Sequence, residues 1–199
     1  MTITTTSYGR VISDALMLSV PLRLPNKNRF SPVVHAEFQP AAILESLDRH
    51  GVEYVLIGGY AALLHGSTLP TRDLDITPRR QADNLTKLIA ALEDLDARVR
   101  VSDDVEPLPF KTSPESLSTV TVLNLATRFG DLDLVVQPAG FPAGYDSLAA
   151  GAEVETIGGV GVKVAALSDV IASKEAAGRD KDIVALPLLI GLLNRQRDR

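Results

Sequence analysis

Tyr54-Val55-Leu56-Ile57-Gly58-Gly59-Tyr60-Ala61-Ala62-Leu63-Leu64-His65-Gly66-Ser67-Thr68-Leu69-Pro70-Thr71-Arg72-Asp73-Leu74-Asp75-Ile76-Thr77-Pro78 is the stretch around which the chain is organised. An apolar β-rich run stops at a glycine pair, a short Ala/Leu-rich helical piece follows, and the chain re-emerges as a strand carrying two acids. Residues two apart on a strand point to the same side. Asp73 and Asp75 therefore present two carboxylates to one face, while Leu74 and Ile76 point into a core. Such a pair repels itself unless a cation lies between the charges. Oxygen-only ligands suit Mg²⁺, which keeps some waters and takes further ligands from substrate phosphates. The glycines extend the reading, because bare backbone N–H groups between a strand and a helix can approach phosphate oxygens.

A lone Gly-Gly is ordinarily a tight turn and a lone Asp-x-Asp a solvated strand end. The ordered combination is more specific. Gly58-Gly59, thirteen residues, then Asp73-Leu74-Asp75-Ile76 resembles the signature of the nucleotidyltransferase superfamily, whose fold is shared with DNA polymerase beta. The resemblance implies an α+β fold in which a mixed β-sheet is covered by helices and the acid pair binds the metal that activates a nucleoside triphosphate.

The 199 residues suffice for one domain of ordinary size with a helical appendage. A hydrophobic fraction of 45% and a charged fraction of 23% are those of a globular protein. Without cysteine there is neither a disulfide framework nor a thiolate metal site. No apolar run reaches the roughly 18 to 20 residues of a membrane span, which excludes a membrane partner of that kind. The segment Ala15 to Leu22 is a poor signal-peptide core, with Arg10 alone before it and Pro21, Arg23 and Pro25 breaking its end and the residues beyond, so a cytoplasmic chain is expected. A net charge of −5 argues against nonspecific coating of nucleic acid. Arg195, Arg197 and Arg199 read as a solvated helix end in preference to a nucleic-acid contact.

Three segments are expected: an irregular arm over 1–38 with a short strand near Ala15 to Val20, a core over 39–165, and C-terminal helices over 166–199 packed on that core. Pro40 opens a helix that Gly51 stops. Leu85, Leu88, Ile89, Leu92 and Leu95 recur at helical spacing between Gln81 and Asp96. Val99 to Val101 reads as a short strand, and Pro107, Pro109 and Pro114 mark a loop. Thr119 to Leu125 and Asp131 to Val136 form a hairpin around a turn at Arg128 to Gly130, and Glu153 to Ile157 with Val160 to Val164 forms another. A helix follows with Ser168 or Asp169 as N-cap, ending at Gly178, and a last helix from Asp180 to about Asn194 kinks or restarts at Pro187.

The strand Gly130-Asp131-Leu132-Asp133-Leu134 again sets acids two apart, where a third metal carboxylate belongs. Asp133 is favoured over Asp131, which follows a glycine and can simply cap the turn. The alternative is that both are edge-strand acids that blunt aggregation.

Asp169 to Asp182, read with Gly58-Gly59-Tyr60-Ala61 and His65-Gly66, resembles the AbiEii and MenT group of nucleotidyltransferases, known mainly as toxins of toxin–antitoxin and phage-defence systems. The matching residues lie over 54–78 and 130–186, and Lys174-x₄-Arg179-x₂-Asp182 is the pattern closest to this group. The resemblance implies attack by an acceptor hydroxyl on the α-phosphorus of an NTP, with pyrophosphate leaving and two Mg²⁺ ions bound by Asp73, Asp75 and Asp133. It implies a pyrimidine triphosphate donor, the tRNA 3′ end as acceptor, and a cognate antitoxin as partner. Lys174 is the candidate to orient the triphosphate, and Asp182 either holds that lysine or helps deprotonate the attacking hydroxyl. Gly58, Gly59, Ser67, Arg72 and Arg179 are the remaining candidate nucleotide contacts. Taken by themselves, Lys174, Arg179 and Asp182 read as a surface ion network, Arg72 as solvated, Ser67 and Thr71 as capping hydroxyls, and His65 as a packed helix-end residue. A phosphate on Ser67 or Thr71 would add negative charge beside the acids and impair the site. Two rival readings are a small-molecule adenylyltransferase of the antibiotic-modifying kind, which shares the glycine and double-acid motif, and a non-catalytic binding module on the same fold.

Overall fold

The structure is a computed structural model and describes residues 36–198. The strand expected near Ala15 to Val20, the segment Ala15 to Leu22 and nearly all of the expected arm lie outside the described residues.

Helix α1 (Pro40–Arg49) starts on its proline and buries Ile43, Leu44 and Leu47. Strand β1 (Tyr54–Ile57) is buried along its whole length, as a central strand covered on both faces should be. Helix α2 (Gly58–Leu64) follows without a loop, and β2 (Asp73–Pro78) returns antiparallel to β1, pairing Leu56 with Ile76 and Ile57 with Asp75. Helix α3 (Ala82–Asp94) and its C-cap bury Leu85, Leu88, Leu92 and Leu95 of the apolar stripe read from the sequence, with Ile89 half-buried and Ala91 buried beside them. The rest of the sheet comprises β3 (Arg98–Val99), β4 (Leu108–Pro109), β5 (Val122–Thr127), β6 (Gly130–Val135), β7 (Glu153–Ile157) and β8 (Val160–Val164). The order is β4-β3-β5-β6-β2-β1-β8-β7, parallel at β2–β6 and β1–β8 and antiparallel elsewhere. The mixed sheet with helices packed against it is the α+β architecture expected.

Several local expectations differ from the structure. The proline-marked loop contains β4, paired to β3, and helix α4 (Pro114–Ser118), whose N-cap Ser113 accepts the Ser116 N–H. Strand β5 begins three residues later than expected, because the Thr119 hydroxyl donates to Ser116 O and the Val120 N–H donates to Leu117 O, tying both to the end of α4. The short helix α5 (Tyr145–Ala149) was not legible, since one turn shows no periodicity. Helix α6 (Leu167–Ala177) is preceded by Ala166 in the N-cap position, with Asp169 already in its first turn; the Ala165 N–H still pairs with Leu56 O on β1, and the helix starts directly after that bond. Helix α7 (Asp180–Arg197) runs through Pro187 with no fresh start; Pro187 and Ile183, whose carbonyl loses its partner, are both exposed, where water can replace the missing N–H.

The pairing that positions the site is β2 beside β6. Asp73 lies opposite Asp131, Leu74 opposite Leu132, Asp75 opposite Asp133 and Ile76 opposite Leu134. In this parallel register the four leucine and isoleucine side chains, all fully buried, share the core face. The four acids share the other. Helix α2 packs on β2, α6 packs on α2, and α7 packs on α6. Among the described residues no helix is long and apolar enough to cross a membrane.

Candidate active site

The β1–α2 junction is shaped by Asp75. Gly58 has φ +70, and a Cβ there would lie 1.9 Å from Asp75 Oδ2, so no other residue fits. The Gly59 N–H donates to the Asp75 carboxylate, and a Cβ on Gly59 would lie 2.6 Å from Thr71 Oγ1. The glycine pair thus brings the strand end against the acid. Where the sequence suggested N–H groups for phosphate, the structure directs that of Gly59 to Asp75. Thr71 Oγ1 donates to Asp73 Oδ1 at 2.8 Å, fixing the second acid from the same loop.

Carboxylate oxygens of Asp73, Asp75 and Asp133 all lie within 4.8 Å of one another. Of the two acids on β6, Asp133 is the one that joins the pair. Burial pushes the Asp75 carboxyl up to about 7, repulsion from Asp73 and Asp133 adds to this, and the Gly59 N–H and Lys181 offset part of it. Burial also raises Asp133, against the pull of Arg100. A hard divalent cation would replace this repulsion by attraction, and a set of oxygen donors on one half-buried face is the chemistry such a cation takes. The acidic triad could hold a divalent metal.

Cations flank the acids on both sides. On one side, Lys174 Nζ donates to Asp182 Oδ1 at 2.9 Å and Arg179 Nε donates to Asp182 Oδ2 at 2.6 Å. Asp182 is fully buried. Burial alone would raise its carboxyl, but the hydrogen bonds from Arg179 and Lys174 outweigh this and hold it below the ordinary value. Both oxygens of Asp182 are thus engaged, one by each of the two cations. The three residues read from the sequence as one pattern do form one ion network, centred on the fully buried Asp182, with Lys174 16% exposed and Arg179 60% exposed. On the other side of the acids, Arg100 Nη2 donates to Asp133 Oδ1 at 3.0 Å.

The acids, both cation groups, Ser67 and Arg72 line one cleft of about 840 Å³, within the size range of small-molecule sites. Ser67 is buried and its hydroxyl accepts the Leu69 N–H, while Arg72 is exposed at the cleft wall. His65 Nε2 donates to Ala165 O at 2.8 Å, a packing bond that ties the end of α2 to the start of α6. Arg100 and Lys181 are the cleft cations that sequence reasoning missed. Lys181 stood inside the Lys174 to Asp182 pattern as an unassigned position. Arg100 had no local signal, because it reaches Asp133 only through the pairing of β3 with β5 and of β5 with β6.

A search among curated protein sequences found no match. Among solved structures, the crystal structure of the lincosamide antibiotic adenylyltransferase LnuA, lincomycin-bound, is similar with a TM-score of 0.50 and 16% identity, covering 76% of this chain and 94% of that one. The solution structure of the antibiotic-resistance factor ANT(2'')-Ia gives a TM-score of 0.47 and 20% identity over 76% of this chain and 80% of that one. The first of these shows a shared fold of the nucleotidyltransferase type. A family model described as aminoglycoside-2''-adenylyltransferase matches residues 41–175, about two thirds of the chain. That span runs from α1 to the last turn of α6 and contains the glycine turn and all three clustered acids, and it shows that the chain belongs to the aminoglycoside-2''-adenylyltransferase family of nucleotidyltransferases.

Proposed function

We propose that this nucleotidyltransferase moves an AMP group from ATP to a hydroxyl of an antibiotic-type small molecule, with two Mg²⁺ ions bound by Asp73, Asp75 and Asp133. The observation that carries this reading is the convergence of the three carboxylates within 4.8 Å in the cleft, inside the span of the family match. Bound divalent ions would supply electrostatic stabilisation of charge on the attacking and leaving oxygens.

The chain's own groups take the remaining roles. Lys174 and Arg179, held by Asp182, and the exposed Arg72 form a cationic wall for the triphosphate. Ser67 lines the same wall. Gly58 and Gly59 keep Asp75 at the strand end, and Thr71 holds Asp73. Asp133, on the β6 side of the cluster, orients the acceptor hydroxyl and takes its proton.

The test is label transfer from each α-labelled NTP in Mg²⁺, with a panel of aminoglycosides, lincosamides and total tRNA as separate acceptors. Transfer from ATP to an antibiotic, absent in Asp73→Ala, is the expected result. The tRNA 3′ end, a pyrimidine donor and a partner antitoxin belong to the AbiEii/MenT resemblance, which rests on Asp169 to Asp182 read with Gly58-Gly59-Tyr60-Ala61 and His65-Gly66; label on tRNA from CTP or UTP would replace the antibiotic reading with that one. No transfer to any acceptor, with no Mg²⁺-dependent nucleotide binding, would leave the chain a non-catalytic module.

A further inference from the structure

Arg100 is the cation closest to the acid cluster that the proposed chemistry leaves without a role. Its backbone N–H donates to Asn124 O at 2.9 Å, on the residue of β5 that pairs with Asp133. Its side chain is 17% exposed and meets three acids: Nη2 to Asp133 Oδ1 at 3.0 Å, Nε to Asp131 Oδ2 at 3.3 Å and Nη1 to Asp103 Oδ1 at 3.6 Å. Only the Asp133 contact has hydrogen-bond geometry, and Nε, though buried, has no hydrogen-bond partner among the described residues.

We infer that Arg100 is a resident countercation for Asp133, which a divalent cation displaces when it loads the acid cluster. The inference rests on the reading of Asp73, Asp75 and Asp133 as metal ligands. Those three acids and Asp131 place four carboxylates on one sheet face, and Arg100 is the positive charge that meets the β6 pair directly. A divalent ion among the same oxygens would be repelled by a guanidinium at 3.0 Å from one of them. Displacement breaks one good hydrogen bond. The guanidinium keeps Asp131 and the 78% exposed Asp103 within reach as alternative partners, so it has a place to go without entering an apolar environment. The rigid planar fork explains why arginine suits this task, since it can be shared among several carboxylates while always charged. Metal affinity at this site is then set partly by a residue that is not a ligand.

The test is titration of the purified full chain with Mn²⁺ and with Mg²⁺ by calorimetry, for wild type, Arg100→Gln and Arg100→Lys, beside urea unfolding in EDTA and in saturating Mg²⁺. Arg100→Gln is expected to bind the metal about tenfold more tightly, the scale of one close charge repulsion. By linkage it should lose more stability in EDTA than in Mg²⁺. A purely structural arginine would lower stability equally in both. Arg100→Lys, which keeps a charge nearby but loses the Nη2 bond to Asp133, should also bind more tightly than wild type, and decides the matter if the glutamine variant does not fold. Equal or weaker metal binding in the variants would overturn the inference and make Arg100 an orienting partner of a metal-bound Asp133. Absence of saturable metal binding by wild type would instead refute the metal site itself, and the inference with it.

Discussion

Asp75→Asn separates what the acid cluster does for stability from what it does for function. In the metal-free protein the Asp75 carboxyl titrates at about 7, against 3.8 ordinarily, chiefly through burial and then through Asp73 and Asp133. The folded-state value lies above the unfolded one, so the folded protein binds this proton more tightly. The associated stability is full below about pH 4 and is lost as pH rises through about 7. At about 1.36 kcal/mol per pH unit the whole effect is about 4 kcal/mol as an upper bound, and about 2 kcal/mol is a fair expectation once the chain relaxes around the charge. Asparagine is the same size, keeps an oxygen for the Gly59 N–H, and offers its amide to the carboxylates of Asp73 and Asp133. Urea unfolding in EDTA at pH 8 should therefore show the variant more stable than wild type by about 2 kcal/mol; at pH 5 the gain should fall to less than half of that, and it should vanish only below about pH 4. In Mg²⁺ the order should reverse, because wild type alone gains the full linkage to metal. Equal stability of the two proteins at pH 8 in EDTA, or the same gain at both pH values, would refute the electrostatic account of the site.

Gly58→Ala should displace Asp75, since the new Cβ would lie 1.9 Å from Oδ2 at φ +70; a loss of about 1–3 kcal/mol in urea unfolding and weakened metal binding in calorimetry are expected. Asp182→Asn should remove the charged acceptor from Lys174 and Arg179, lowering stability by about 3 kcal/mol and raising the KM for the triphosphate, read by steady-state kinetics. The Mg²⁺ concentration giving half-maximal activity should rise as pH falls from 8 to 6, up to about tenfold per unit below 7, because protons then compete for Asp75; a flat requirement would separate that carboxylate from the metal.

The sequence alone settled those features that follow from local periodicity. Strand alternation put Asp73 and Asp75 on one face and Leu74 and Ile76 on the other. The glycine pair between a β-rich run and an Ala/Leu-rich one marked the abrupt β1–α2 junction. The apolar stripe of α3 and the two hairpins were legible for the same reason, because neighbours in the chain decide them. The superfamily followed from motif order. Its branch did not: Asp169 to Asp182, read with the glycine turn and His65-Gly66, pointed to toxins, whereas the family match over 41–175 is to aminoglycoside-2''-adenylyltransferases. Tertiary structure decided everything that depends on strand register and on residues distant in sequence. The parallel pairing of β2 with β6 brought Asp133 to Asp75 and left Asp131 nearer the rim. Side-chain packing set Gly58 against Asp75 and Gly59 against Thr71, and the burial of Asp182 drew Lys174 and Arg179 onto one carboxylate. Arg100 became part of the site only through β3, β5 and β6. Electrostatic energies fall off over a few ångströms, so which charges meet is a property of the folded sheet and not of spacing along the chain.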